Sequence, residues 1–442
     1  MSRTNISLRS LGGLTALLLA LTFWIPASSL AIRPPVAVGD EAEPRQAAPA
    51  AAAGPREQLL TRLGVDRWLA AGVRGRGVKV AIIDTGFRGW RDQLGKVLPA
   101  HVTAHSFRAD GNLEFRDSQH GILCGEVIHT LAPDAELLFA NWDPGHEDQF
   151  LAAVRWAREQ GARAVSVSVI TPSWSDGEGG GAVHRALSDL LGPGTRPADL
   201  LCFASAGNTT DRHWAGHFRD GGDGWHRWQD KKADNGLRPW GDDDVYVELY
   251  GRAGASYELC VFDSDTGREV GRAATDPHQS DRLSAAVRFA PTSGHSYRVR
   301  VHHVGGRAGD FHVTTTFASL DCTTVGANVC FPGDGKEVIA LGAVDKDGHR
   351  QDYSACGTNL PRPKPDLVAV VPFPSAFRDR PFGGTSAAAP QAAALAALCW
   401  SRHHDWNAAR VRQALQSAAI DLNTPGPDYE TGYGLIHVPA EP

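Results

Sequence analysis

A single serine, Ser386, stands in the stretch PFGGTSAAAPQAAALAALCW (381–400), where a glycine pair gives way to an alanine-rich run of strong helix formers. At a helix start a serine oxygen meets free backbone N–H groups and the positive end of the helix dipole, so its plainest use is an N-cap. Its chemical use needs partners. A serine alkoxide forms beside a base, and an imidazole base needs a carboxylate to fix its tautomer. Both lie upstream: Asp84 closes the apolar run VKVAII (78–83), and His120-Gly121 opens a stretch with the apolar spacing of a helix. An amide is present too, because Asn208 ends LCFASAGN (201–208), where a side-chain N–H would meet the negative charge that develops on an attacked carbonyl. The chemistry of such a set is acyl transfer to water.

These four residues need a scaffold that gathers them. Short β-rich runs at Val78–Ile83, Ala135–Ala140, Ala164–Ile170, Leu200–Ser205 and Val338–Val344 read as buried strands. Helical patterns at Asp148–Gln160 and Ala182–Leu191 alternate with them. That rhythm predicts an α/β fold, a mostly parallel sheet with helices on both faces, in which chemistry collects at the carboxyl ends of the strands. From Trp214 to Phe317 the rhythm stops. Val245–Leu249, Ser256–Phe262, Ala285–Phe289, Tyr297–His302 and Phe311–Thr316 alternate in the strand period between Gly, Asp and Pro turns, which predicts an inserted small antiparallel β-sandwich.

With these motifs in place, the sequence resembles the subtilisin-like serine peptidases. The resemblance rests on VKVAIIDTG around Asp84, His-Gly at His120, FASAGN ending at Asn208 and GGTSAAAPQAAALAAL around Ser386, in the chain order Asp, His, Ser of that family. Weaker similarity runs through VDRWLAAGVRGRGVKV, VIALGAVDKDGHRQDYSACG, KPDLVAV and TGYGLIHV, so it covers roughly Leu59 to Val438 without the insertion. The resemblance implies a nucleophile at Ser386, a base at His120, its orienting carboxylate at Asp84 and an oxyanion donor at Asn208. It also implies protein or peptide substrates. The insertion resembles the β-sandwich modules that accompany secreted bacterial peptidases, the pre-peptidase C-terminal type.

Several positions depart from the family pattern. After His120 the usual small residues are replaced by Ile122-Leu123-Cys124-Gly125-Glu126, and Glu126 invites comparison with the acidic triads of sedolisins. Because the base position is His120, Glu126 is read as a structural group. The family's groove wall, usually Ser-Leu-Gly, is matched by Ser168, Val169 and Ile170; a side chain in place of that glycine narrows the pocket and predicts small residues before the cleaved bond. About two dozen residues between position 31 and the catalytic region leave no length for the family's folded pro-domain, so no large propeptide is expected. At the start of the insertion, His213 to Trp228 is dense in aromatics and histidine and reads as a plug anchoring the insertion to the sheet. No cofactor is called for; calcium could use oxygen ligands from Asp220, Asp223 and Asp242 to Asp244, although EF-hand spacing is absent.

The whole chain bounds these expectations. Its 442 residues, 42% hydrophobic and 21% charged, suit one large and one smaller core, and a formal net charge of -6 argues against nucleic-acid partners. Arg3 and Arg9 precede an apolar run from Leu11 to Ile25 and small residues to Ala31, the layout of a secretory signal, with an uncleaved anchor as the alternative. Residues 32–54 read as a Pro/Ala-rich linker, 55–212 and 318–442 as the catalytic domain, and 213–317 as the insertion. The protein is expected to be secreted or periplasmic, with no membrane contact beyond the export signal. Of seven cysteines, Cys124, Cys202 and Cys399 read as buried free thiols, whereas a disulfide is plausible among Cys322, Cys330 and Cys356. The competing class is a catalytically inactive binding protein whose sandwich recognises a protein or glycan.

Overall fold

The computed structural model describes residues 54–115, 118–276, 281–358 and 362–441. The signal and most of the linker, residues 1–53, lie outside the described residues. The first helices are α1 (Pro55–Arg62) and α2 (Val65–Ala70). They lead into β1 (Lys79–Ile83), followed by β2 (Val102–Ser106), α3 (His120–Leu131), β3 (Glu136–Asn141), α4 (Glu147–Glu159), β4 (Ala162–Val167), α5 (Ala182–Leu191) and β5 (Leu201–Ser205). After the insertion come β15 (Val338–Val344), β16 (Leu367–Val370), α6 (Ala388–Arg402) and α7 (Ala408–Ala418).

These strands form a seven-stranded sheet in the order β16-β15-β5-β4-β1-β3-β2, with every neighbouring pair parallel. Helices cover both faces, so β5, β15 and β16 are buried along their whole length, and only the edge strand β2 alternates partly buried with exposed. β1 has β3 on one side and β4 on the other, so the chain reverses its winding there, which is where a crevice opens beyond the strand ends. Asp84 is the next residue after β1. α6 is buried from Ala388 to Trp400; its alanines let it lie close against β4, β5, β15 and β16, and a helix apolar all round belongs in a core.

The insertion forms two antiparallel sheets, as its alternating runs predict. One has the order β10 (Glu269–Ala274), β9 (Ala255–Asp263), β12 (Tyr297–Gly306), β7 (Asn235–Pro239) and β14 (Ala318–Leu320). The other has β11 (Leu283–Phe289), β8 (Val245–Gly251), β13 (Asp310–Thr316) and β6 (His213–His217). Trp214, Phe218 and Trp228 pack with Leu237, Tyr257, Val299 and Phe311 in the sandwich's own core. The aromatic run is therefore this core's centre and not an anchor to the main sheet. Polar contacts make the junction instead: Ser173 Oγ donates to Glu248 at 2.6 Å, Ala182 N–H to Asp281 at 2.6 Å and Arg282 to Glu147 at 3.1 Å.

The expected disulfide is absent: all seven cysteines are free and buried, each thiol in its own packed surroundings. Three of the aspartates considered for calcium are engaged with donors of the chain itself. Asp220 accepts from Gly222 and Gly224 N–H, Asp223 from Arg227, and Asp244 from Arg288.

One buried ion pair ties the sheet to its last helix. Lys364, 1% exposed, donates to the Val338 carbonyl at 2.7 Å and to Asp366 at 2.6 Å. Asp366 also accepts from Ala340 N–H at 2.8 Å and from Arg412 on α7 at 3.0 Å. Removing one partner of such a pair strands a buried charge, so Asp366→Asn should destabilise the protein by about 3–5 kcal/mol. Chemical denaturation measures this, and an unchanged midpoint would contradict it.

Candidate active site

Asp84 is fully buried just beyond β1, and its Oδ1 accepts the Thr85 N–H at 2.7 Å. That bond orients the carboxylate so that Oδ2 lies 2.7 Å from Nδ1 of His120, the first residue of α3. Gly121 lets the helix start reach this position: a Cβ there would stand 2.2 Å from the Phe87 ring. Phe382 meets the imidazole edge to face at 5.4 Å. One turn further along α3, the Cys124 sulfur is 3.8 Å from Asp84 Oδ2, and burial pushes its thiol pKa up, so it is a neutral group at pH 7. Burial disfavours the imidazolium of His120, but the Asp84 carboxylate, together with the Cys124 sulfur, outweighs it and leaves the histidine pKa well above its ordinary value.

Ser386 occupies a 3-10 turn, Thr385–Ala387, that leads into α6. It does not cap that helix. Its Oγ donates to the Ser168 carbonyl at 3.2 Å, and Ser168 Oγ donates back to the Ser386 carbonyl at 2.9 Å. This reciprocal pair fastens the chain leaving β4 to the serine turn. No hydrogen bond joins Ser386 to His120 in this structure; the hydroxyl is engaged with the Ser168 carbonyl. Loose catalytic hydrogen bonds are usual before substrate arrives.

Asn208 lies three residues past β5, and its orientation is set from the serine turn. Its Oδ1 accepts from Thr385 N–H at 3.0 Å and from Thr385 Oγ1 at 2.9 Å, while Thr385 Oγ1 accepts from Gly207 N–H at 3.2 Å. The amide nitrogen is thereby turned away from these bonds. It sits against the turn: a Cβ on Gly384, whose φ is 77°, would be 2.9 Å from Asn208 Nδ2. An N–H donor is thus held beside the turn that carries Ser386, with its oxygen fully occupied.

The remaining sequence expectations divide. The strand predicted over Ala164–Ile170 ends at Val167, so Ser168, Val169 and Ile170 lie beyond its ladder. Ser168 joins the site as described. Val169 packs into the core under α4 and α5 with Trp174 and Phe331, so its side chain is spoken for. Ile170 is 9% exposed and belongs to none of the hydrophobic clusters among the described residues. Glu126 is structural: 2% exposed, it accepts from Arg56, Ser375 Oγ and the Ala376 and Phe377 N–H groups, clamping the turn that leads to Phe382. Thr385, Cys124 and the supporting contact of Arg212 to Asn208 were not foreseen. Thr385 had a signal, a hydroxyl immediately before the serine.

Comparisons with known proteins follow the same direction. The model of the subtilase family matches residues 323–434. Subtilisin E from Bacillus subtilis is 34% identical over 164 residues, covering 37% of this chain and 38% of the relative, and subtilisin DY from Bacillus licheniformis is 36% identical over 110 residues, covering 25% and 39%. The chain therefore spans about two fifths of the length of these relatives. Among solved structures, the CspB protease of Clostridium perfringens aligns with a TM-score of 0.61 at 15% identity, over 86% of this chain and 97% of that one. The chain is similar to the subtilases in sequence over these segments, and to the CspB protease in fold over most of its length.

Proposed function

We propose that the protein is a serine endopeptidase that hydrolyses peptide bonds through an acyl-enzyme. The observation that carries this is the Asp84–His120 pair at 2.7 Å at the start of a helix that packs against the turn of Ser386, a serine that caps nothing and whose neighbour locks the oxygen of the Asn208 amide. Ser386 Oγ turns from Ser168 to His120 Nε2, gives up its proton there and attacks the scissile carbonyl. Asn208 Nδ2 and the Ser386 N–H receive the oxyanion. The imidazolium, stabilised by Asp84, returns the proton to the leaving amine. Water then repeats the sequence on the ester, restoring Ser386 and releasing the acid.

Export, read from residues 1–31, belongs to the same proposal, as does the division into a catalytic domain (55–212, 318–442) and a sandwich (213–317). No helix among the described residues is long and apolar enough to cross a membrane.

The base works only when neutral, so activity falls as pH drops through the His120 pKa. Since that value is raised by Asp84, the acid limb of kcat/KM should have its midpoint above about 6.5, the ordinary histidine value. Asp84→Asn should lower the midpoint along with the rate. The linked stability has the opposite sense: the pair stabilises the fold most below the unfolded pKa of about 6.5, and this is lost as pH rises through the folded one. A pH profile of kcat/KM with its limb below that value would contradict the assignment.

Ile170 at the groove should admit small side chains before the cleaved bond. Incubation with a mixed peptide library, read by mass spectrometry, tests activity and preference together. Internal cleavage after small residues is expected. Cuts dominated by Phe or Tyr would overturn the pocket assignment, and intact peptides would overturn the peptidase and favour the binding protein.

A further inference from the structure

Four residues after Asn208, Arg212 enters the first strand of the sandwich with only 7% of its surface exposed. Its Nε donates to the Asn208 carbonyl at 2.6 Å and its Nη1 to the Thr315 carbonyl of β13 at 3.5 Å. Thr315 N–H donates back to the Arg212 carbonyl at 2.9 Å, and the guanidinium lies 5.4 Å from the Trp240 ring. Its partners are two backbone carbonyls and an indole face, and none is a carboxylate. The adjacent Asp211 carboxylate favours the cation from an exposed position, without a salt bridge to it, and the Cys330 thiol, its pKa pushed up to about 12 by burial, carries no charge at pH 7. Burial lowers the Arg212 pKa from its ordinary value, yet a guanidinium stays protonated in proteins.

A buried guanidinium whose close contacts include no carboxylate is costly to keep, so its position calls for a use. Here the use lies four residues upstream. Thr385 pins the Asn208 side chain from the serine turn, and Arg212 pins the Asn208 peptide from the sandwich. Positive charge also stands behind the amide that is to meet developing negative charge, in a poorly solvated place where such a field acts strongly.

We propose that Arg212 is a positioning residue for the oxyanion donor, holding the Asn208 peptide against β13 and supplying a buried positive charge behind it. The inserted sandwich is then part of the reaction machinery, because β13 fixes the guanidinium. This rests on the peptidase assignment above, and the test separates the two.

Arg212→Met and Arg212→Lys are made in the full chain, with and without Asn208→Ala, and kcat, KM and the rate of labelling by a fluorophosphonate are measured. Arg212→Met should lower kcat about tenfold or more with KM changed less than about twofold, as expected for loss of transition-state stabilisation. Arg212→Lys, which keeps the charge, should recover most of it. In the Asn208→Ala background Arg212→Met should cost less than about twofold, because its target is gone. An unchanged kcat in Arg212→Met, or a loss of equal size with and without Asn208, overturns the proposal. If Arg212→Met shows no cooperative unfolding, Arg212→Gln against Arg212→Lys decides by the same split between kcat and KM. A wild-type protein that is neither labelled nor active overturns the peptidase and this role together, whereas a labelled, active wild type with an indifferent Arg212 overturns this role alone.

Discussion

Ser386→Ala should lower the peptidase rate by on the order of 10⁵–10⁶-fold, the scale seen where nucleophile and base act as one unit, while the protein stays folded. The two effects separate because the Ser386 hydroxyl has little structural duty. It caps no helix, and its one hydrogen bond, to the Ser168 carbonyl at 3.2 Å, is worth about 1 kcal/mol. Ser168 Oγ still holds the turn through the Ser386 carbonyl, which alanine retains. His120→Ala should cost about as much as Ser386→Ala, and the double variant no more than either, since neither group acts without the other. Steady-state hydrolysis of a peptide substrate measures all three; additive losses would show that the two side chains work independently.

The second large effect is at Asn208. Asn208→Ala should reduce kcat by about 10²–10³-fold, the loss typical of removing one oxyanion donor, and leave KM nearly unchanged, because the amide contributes once charge develops on the carbonyl oxygen. A structural cost accompanies it. The variant deprives Thr385 N–H and Oγ1 of their acceptor, and a stranded buried donor costs about 1–3 kcal/mol. A modest fall in Tm together with the loss in kcat is therefore the expected pattern. A loss carried by KM instead would place Asn208 in substrate binding.

The positions of the four proposed site residues at element boundaries were readable because each stands where a periodic pattern begins or ends. Asp84 and Asn208 follow buried strands, His120 opens an amphipathic stretch, and Ser386 precedes an alanine-rich helix. The sheet and the sandwich were legible for the same reason, from the 2.0 and 3.6 periods of their apolar residues. Weakly patterned strands such as β10 (EVGRAA) and the three-residue β14 carry too little alternation to be seen. At Ser168 the local pattern misleads, since VSVSVI alternates to its end while the backbone leaves the ladder after Val167. What draws it away is a hydrogen bond to a residue 218 positions later, which no local period contains. Val169 was misplaced for the same reason.

Arg212 lay beyond reach of the sequence for a different reason. It stands in a polar stretch with no periodic apolar pattern to mark it as buried, and only the fold reveals that the guanidinium is packed against Asn208 and Thr315. The cysteines of the 322–356 region suggested a disulfide by count and composition, but bridging depends on approach of two Cβ atoms, which composition does not encode.

The most direct test of the account is covalent labelling of the purified protein with a fluorophosphonate, followed by peptide mapping of the adduct. The account predicts one adduct, on Ser386, formed faster as pH rises through the His120 pKa and lost in His120→Ala. Folded protein that takes no label, or takes it on another residue, would contradict it.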